Sequence, residues 1–403
     1  MKQWVGLVAR LIVGVIDLVA GLSKFSDPPG NVRAVRAFRI LPESIVPTVG
    51  HALPTIEIVI GALLILGLFT RPMAILSGLF FVAFIIGISS AWARGLEINC
   101  GCFGNGGVPA NPQRQYAIDI ARDLGLLLCS VWLVIWPRTP SPWTTCCSPV
   151  PKGSPMANKT RQQSKSERAQ ALMREQQRKE RTRNLLVVGA VVVAVAIIAI
   201  VMVVISTNKD TSGKAVGSSG TPSNLTGTYN VVIGKASAPD TIKTYEDFQC
   251  PICKEFEATT GQQVQAAIAD GRVKVDYHMV AFLDRASTTN YSSRALNAAM
   301  AVLSTAGPDA FLKFHSIAYA NQPGEGSAGV PDSTLIDWAV QAGADKAAVT
   351  PLINDNVYHQ WVVNATDQMS KDGVNGTPTV FINGQNQGVN PQTAANNVLA
   401  LLK

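Results

Sequence analysis

Five apolar runs, each close to the ~20 residues that a helix needs to cross a bilayer, punctuate the first half of this 403-residue chain. They fall near 5–23, 51–69, 73–93, 116–136 and 185–205. The first, MKQWVGLVARLIVGVIDLVAGL, starts like a secretory leader. Arg10 and Asp17 interrupt it, however, and no clear small-x-small site precedes Lys24, so it reads as a retained helix. The fifth, Leu185 to Ile205, is uninterrupted. Its β-branched residues would suit a strand in water, but its length and basic flank decide for a single span. Composition agrees, at 47% hydrophobic and only 15% charged.

Charge sets the expected orientation. Residues 157–184 carry nine Lys/Arg against three Glu, the densest basic run in the chain, and are expected in the cytoplasm. Five spans then put the N-terminus inside, and the loop at 94–115 and everything after residue 206 outside. One segment opposes this. The loop at 24–50 also falls outside, yet carries Lys24, Arg33, Arg36 and Arg39. The denser run is given precedence. No basic stretch is interleaved with aromatics or follows a nucleic-acid reader motif, so a nucleic-acid partner is not expected.

Two linkers are expected. Residues 137–155 hold Pro137, Pro140, Pro142, Pro149, Pro151 and Pro155, and 206–228 are rich in Ser, Gly, Thr and Asn, a flexible composition. Met156 opens a segment that could itself begin a protein, which suggests a fusion. The expected organisation is a four-helix membrane domain at 1–137, a Pro-rich then basic cytoplasmic linker at 138–184, a fifth span at 185–206, a flexible extracytoplasmic linker at 207–228, and a separate domain at 229–403.

In that last domain the pattern alternates. Strands are predicted at 230–234, 241–246, 273–281 and 378–384. Helices are predicted after Cys250 and at 288–305, 308–320, 332–343, 347–370 and 391–402. This is an α/β layout with a helical insertion. Its only cysteines are Cys250 and Cys253, and its histidines are the scattered His278, His315 and His359. A zinc site would want four ligands, so no metal is expected and a cycling dithiol is the better reading. In YEDFQCPICKEFE a strand runs into Cys250 and a helix follows. A sulfur at a helix N-terminus gains from the unpaired N–H groups and the dipole. Cys250 is therefore the expected attacking thiolate, and Cys253, one turn on, the resolving thiol. A static disulfide or metal half-site is the bland alternative. In VNGTPTVF a proline opens a strand, where it cannot donate to the ladder. A cis Thr377–Pro378 bond would account for it, with an ordinary turn as the alternative.

These residues resemble the DsbA-like thioredoxin family: YEDFQCPICKEFE, the helical insertion and NGTPTVFING, over residues 229–403. The resemblance implies a thioredoxin fold and thiol oxidation outside the cytoplasm, with Cys250 as nucleophile, Cys253 as resolving thiol, Pro378 as the cis-proline, and Thr377 lying against the dithiol to offer backbone groups to a client. Two departures stand out. The pair between the cysteines is Pro-Ile rather than Pro-His, which implies weaker thiolate stabilisation. Thr244 replaces the acid common six residues before the first cysteine. Glu246 or Asp247 is a candidate substitute, with one of the two expected on the solvated surface.

In the membrane half, NCGCFGN places Cys100 and Cys102 one residue apart, a spacing that closes a small, strained ring for which Gly101 supplies backbone freedom. Unpaired thiols or separate bridges are the alternative. With GLSKFSDP at 21–28, LPE at 41–43 and PTIEIVIGALLILG at 54–67, this resembles the MauE branch of the DoxX/MauE membrane family over residues 5–136. That implies a four-helix bundle associated with disulfide formation and membrane electron carriers. Asp17, Glu57, Asp119, Arg122 and Asp123 lie inside spans. Glu57 first and Asp17 next are candidate proton relays, against the bland reading of Arg122 paired with Asp17 or Glu57. Cys129 is expected to pack, and Cys146 and Cys147 to be reduced bystanders on the cytoplasmic side, with acylation as the alternative.

The leading expectation is a cell-membrane, multi-pass oxidoreductase that forms disulfides in exported proteins bearing cysteine pairs. Cys100/Cys102 would reoxidise Cys250/Cys253, with a membrane quinone as candidate acceptor and no covalent cofactor. An outward-directed reductase or isomerase, and a non-enzymatic assembly subunit, are the alternatives.

Overall fold

A computed structural model describes residues 2–96, 98, 112–136, 189, 192–284, 287–388 and 390–403. Cys100, Cys102, Cys146 and Cys147, with the Pro-rich and basic linker, lie outside the described residues. Four of the apolar runs become helices α1 (Lys2–Phe25), α3 (Val46–Leu66), α4 (Thr70–Ala93) and α5 (Pro112–Ile135), and the fifth becomes α6 (Val192–Lys209). A short helix in the 24–50 loop, α2 (Pro28–Ala37), was not expected. Asp27 caps it, accepting from the Gly30 N–H, and proline sits at its start.

Contacts divide the chain into two compact units. The first comprises residues 1–22, 52–81 and 125–207. There α1 and α3 approach backbone to backbone through glycines. A Cβ on Gly61 would lie 2.6 Å from the Leu18 nitrogen and 2.7 Å from the Gly14 carbonyl oxygen. Small residues at such a crossing let helices pack where lipid offers no hydrophobic drive. Val13, Ile60, Leu64, Phe81 and Leu126 fill the interior, with Cys129 packed against them as expected. Val8, Ile12, Val15, Leu79 and Leu128 turn outward, as lipid-facing side chains would. α6 buries almost nothing, which suits a lone span.

The second unit comprises residues 23–51, 82–124 and 208–403. It holds the charged half of α5. Asp119, Arg122 and Asp123 cluster there, and Arg122 pairs with Asp119 at 2.9 Å and Asp123 at 2.8 Å. Pairing within one helix lowers the penalty for charge near lipid. Among the described residues, four helices are apolar enough to cross a membrane along their length, and α5 is not one of them.

The distal part of this unit is a five-stranded sheet with helices packed against it. Its strands are β1 (Val231–Ile233), β2 (Asp240–Glu246), β3 (Val273–Met279), β4 (Thr379–Ile382) and β5 (Gln385–Asn386), in the order β1-β3-β2-β4-β5. β2 and β3 are parallel, and the other pairs antiparallel. β3 alternates cleanly, burying Val273, Val275, Tyr277 and Met279. α7 (Pro251–Asp270) links β2 to β3 and ends at Gly271, whose φ of 77° suits glycine. α8 (Tyr291–Ala320) bends at Gly307–Pro308, where two helices were predicted. The single helix predicted at 347–370 is two, α10 (Lys346–Asn354) and α11 (His359–Lys371), separated near the left-handed Asn356. α9 (Asp332–Ala342) and α12 (Pro391–Leu401) complete the set.

The segment expected to be a flexible linker is not loose where it is described. The Gly213 N–H donates to Asn364 Oδ1 at 2.9 Å, Asn364 Nδ2 donates to the Lys214 carbonyl at 2.8 Å, and the Trp361 indole donates to the Thr228 carbonyl at 2.9 Å. Polar composition suggested flexibility, but here those backbone groups find partners along α11 instead of water.

Candidate functional site

Strand β2 delivers its last residue, Glu246, to the sheet end, and a turn carries the chain into α7. Asp247 builds that turn. Its Oδ1 accepts from the Gln249 N–H at 2.8 Å and the Ser292 hydroxyl at 2.5 Å, and its Oδ2 accepts from the Leu283 N–H at 2.8 Å. Its carbonyl accepts from the Cys250 N–H at 3.0 Å and the Tyr319 hydroxyl at 3.2 Å. Every oxygen of Asp247 therefore fixes where Cys250 begins the helix. Burial raises the Asp247 carboxyl to about 6, although its three donors pull it down.

Cys250 caps α7, with Pro251 at the first helical position. Its Sγ accepts from the Cys253 N–H at 3.4 Å, and its thiol donates to the Thr377 carbonyl at 3.3 Å. The Thr377–Pro378 bond is cis. The structure thus brings Cys250, Cys253, Thr377 and Pro378 together, with both cysteines as free thiols. Two sulfurs three residues apart have different environments. The Cys253 thiol hydrogen bond, helped by Thr377 and the Cys253 N–H, outweighs burial and lowers the Cys250 thiol. Cys253 is fully buried; burial, the bond to Cys250, and the charges of Cys250 and Glu246 push its thiol well up. The two sulfurs are thus unequal even without an imidazole between them.

Glu246 and Asp247 are both fully buried, so the expectation of one solvated acid is overturned. The reason lies in partners that the sequence separates by about seventy residues. His315, from α8, sets Nε2 at 3.0 Å from Glu246 Oε2, and its Nδ1 lies 3.8 Å from Glu257 Oε2. Burial and the charge on Glu246 raise Glu257 to about 8. Burial works against charge on His315, but Glu257 and Glu246 overcome it and hold the imidazole above its ordinary value. The three donor sets lie within 4.8 Å of one another, a spacing a metal could use. In the structure as it stands, His315 bonds Glu246 and the Glu257 carboxyl is raised, so the three groups share protons. Phe248 and Tyr319 wall His315 off with ring contacts at 5.8 and 4.8 Å. Sequence reasoning missed Glu257 and His315. The one signal was a histidine without an obvious role on an apolar helix.

A cleft of about 1070 Å³ opens beside Cys250, lined by Ile252, Thr377, Pro378 and the 372–376 turn. The proposed relays sit elsewhere. Asp17 is buried in the first unit and accepts from the Ser77 hydroxyl at 2.7 Å, and Glu57 is buried in the same unit.

Residues 2–136 match the family of methylamine utilisation protein MauE, and residues 226–398 match the thioredoxin family. Over 158 residues the chain is 29% identical to serine/threonine-protein kinase PknE of Mycobacterium tuberculosis, covering 38% of this chain and 28% of the kinase. The chain thus spans less than a third of that relative's length. Disulfide bond formation protein D of Bacillus subtilis is 27% identical over 154 residues, 38% of this chain and 67% of that protein. The reduced structure of DsbA from Mycobacterium tuberculosis is 32% identical, covering 43% of this chain and 92% of its own, with a TM-score of 0.37.

Proposed function

We propose that this chain, which matches the MauE family over residues 2–136 and the thioredoxin family over residues 226–398, is a membrane-bound thiol–disulfide oxidoreductase that forms disulfides in exported proteins. The observation that carries this is the unequal pair of sulfurs. At the helix start the Cys250 thiol is lowered from its ordinary value, whereas burial pushes the Cys253 thiol well up.

The chemistry follows from that inequality. In the oxidised enzyme a client thiolate attacks Cys250 Sγ, and Cys253 leaves and takes up a proton. The mixed disulfide has its client chain in the cleft, against the Thr377 backbone. The client's second thiolate then attacks its own mixed-disulfide sulfur and expels Cys250 as a thiolate. The client loses two electrons and two protons, and the enzyme holds the dithiol. A stable Cys250 thiolate makes the last departure easy and favours oxidation of the client.

Reoxidation completes the cycle. Cys250 attacks the Cys100–Cys102 disulfide, Cys253 displaces that bond to restore Cys250–Cys253, and Cys100/Cys102 carry the electron pair. A membrane quinone is the proposed acceptor, with Glu57 and Asp17 as candidate proton carriers. The extracytoplasmic placement of the thioredoxin domain rests on the basic run at 157–184 and the positive-inside rule. Residues 82–96 and Cys250 fall in one unit, which supports a common side for the chain leading toward Cys100 and the Cys250/Cys253 dithiol.

A Cys253→Ala variant of the full chain tests the reading, because it should hold clients as mixed disulfides on Cys250. In parallel, the Cys250/Cys253 potential should lie nearer about −120 mV than about −270 mV. A potential near the lower value, with no exported client captured, would assign the opposite direction of flow.

A further inference from the structure

The arginines of the 24–50 segment contradict the positive-inside rule, and the structure gives each an occupation. Arg36, on α2, sets Nη1 at 2.9 Å from Asp367 Oδ1 and 3.2 Å from Ser370 Oγ on α11, while its other nitrogens fork onto Glu43. Arg39 Nη2 donates to the Gly373 carbonyl at 2.7 Å, four residues before Thr377. Arg94, at the end of α4, donates to the Phe38 and Arg39 carbonyls at 2.5 and 3.3 Å and so braces the backbone that presents Arg39. The Arg33 charge acts on Asp284 of the thioredoxin domain. Lys24 lies over the Phe84 ring.

These contacts have a direction. Arg39, Gly95, Leu96 and Ile98 line the same cleft as Cys250 and Pro378. The Tyr116 hydroxyl pins the 96–98 segment, donating to the Leu96 carbonyl at 2.6 Å and accepting from the Ile98 N–H at 2.8 Å. Ile98 stands two residues before Cys100 in the sequence. Charge complements the geometry: residues 207–403 carry 17 Asp/Glu against 13 Lys/Arg. Arg36 and Asp367 are both largely shielded from water, with side chains 10% and 5% exposed, so salt screens their pair less than an open surface pair.

We propose that Arg36 and Asp367 form a latch that seats the thioredoxin domain on the outer rim of the MauE domain, turning Cys250 toward the 95–98 segment that leads to Cys100. Positive charge is kept on the outer face because this docking uses it. The latch positions one dithiol for another and takes no part in sulfur chemistry. Its purpose rests on the relay proposed above; the docking itself does not.

The experiment uses the full chain in nanodiscs, as Arg36→Gln, Asp367→Asn and the double variant. Three quantities are read: amide exchange of 95–98 and 373–377, the reoxidation rate of Cys250/Cys253 with quinone present, and single-turnover disulfide transfer to a reduced peptide. Each single variant should speed exchange and slow reoxidation about tenfold, the equivalent of about 1.4 kcal/mol. The double variant should be no worse than either single one, because the two residues act as a pair. Transfer to the peptide should not change. Unaltered exchange in the single variants, additive losses in the double variant, or equal slowing of peptide transfer would overturn the latch. A Cys100→Ser background separates the two proposals. Faster exchange on adding Arg36→Gln there upholds docking, whereas normal reoxidation in Cys100→Ser alone counts against the relay and leaves docking standing.

Discussion

His315 and Glu246 meet at 3.0 Å with neither side chain reaching solvent, and the Glu246 charge bears on the resolving thiol Cys253. A histidine from the helical insertion thereby closes the acid cluster under a dithiol built by the sheet. Its consequence for stability has a definite sign. Glu257 is raised from 4.5 to about 8, Asp247 from 3.8 to about 6, and His315 lies above 6.5. Each folded group holds a proton that the unfolded chain has already released. Stability is therefore fullest below the unfolded values and falls as pH rises toward the folded ones, by about 1.4 kcal/mol per pH unit for each such proton. The reduced protein should melt at a higher temperature at pH 5 than at pH 8. Glu257→Gln should flatten the slope between those values, as calorimetry across that range would read. A steeper slope in the variant would contradict the assignment.

Glu246 also sets the balance of the dithiol. Its charge is one cause of the high Cys253 thiol, after burial and the bond and charge of Cys250. Glu246→Gln removes that cause, so the Cys253 thiol should titrate at lower pH than in the parent chain. The pH dependence of Cys253 alkylation measures it, and an unchanged or higher titration would assign Glu246 another role.

The strand–Cys250–helix turn was legible because its signals are local: a strand pattern, a CxxC pair and a proline at the helix start. The same holds for the kink at Gly307–Pro308 and for Thr377–Pro378. What stayed hidden depends on distance in sequence. One of Glu246 and Asp247 looks like a solvated acid until His315 and Ser292 arrive from α8. Likewise, the polar stretch after residue 206 looks flexible until α11 supplies its partners. Arg36 and Arg39 conflict with a topology rule until Asp367 and Gly373 are brought against them.

Asp247 supports the site through geometry, while its charge works against a lowered Cys250 thiol. Asp247→Ala leaves the Gln249 and Leu283 N–H groups and the Ser292 hydroxyl without their acceptor, each buried donor losing about 1–3 kcal/mol. The domain should lose at least roughly 3 kcal/mol in urea titration. Asp247→Asn keeps acceptor Oδ1 but places an NH₂ opposite a donor, so it should recover only part of the loss. Full recovery by asparagine would show that shape, not acceptor chemistry, holds the turn.

Asn364 decides whether the chain leaving the membrane behaves as a rope or a splint. Its side chain takes both the Gly213 N–H and the Lys214 carbonyl, and it also accepts from Gln360 Nε2 at 3.0 Å. A splinted exit favours one placement of the dithiol, whereas a free segment of similar length would spread it over many. Asn364→Ala should open the bonds at 213–214 and expose them to a nonspecific protease several-fold faster, because cleavage of a transiently open segment follows its open population. Reoxidation should slow while transfer to a free peptide is unchanged, since Cys250 and Thr377 are untouched. Equal protease rates in the parent and variant chains would mean that contacts elsewhere hold the exit in place.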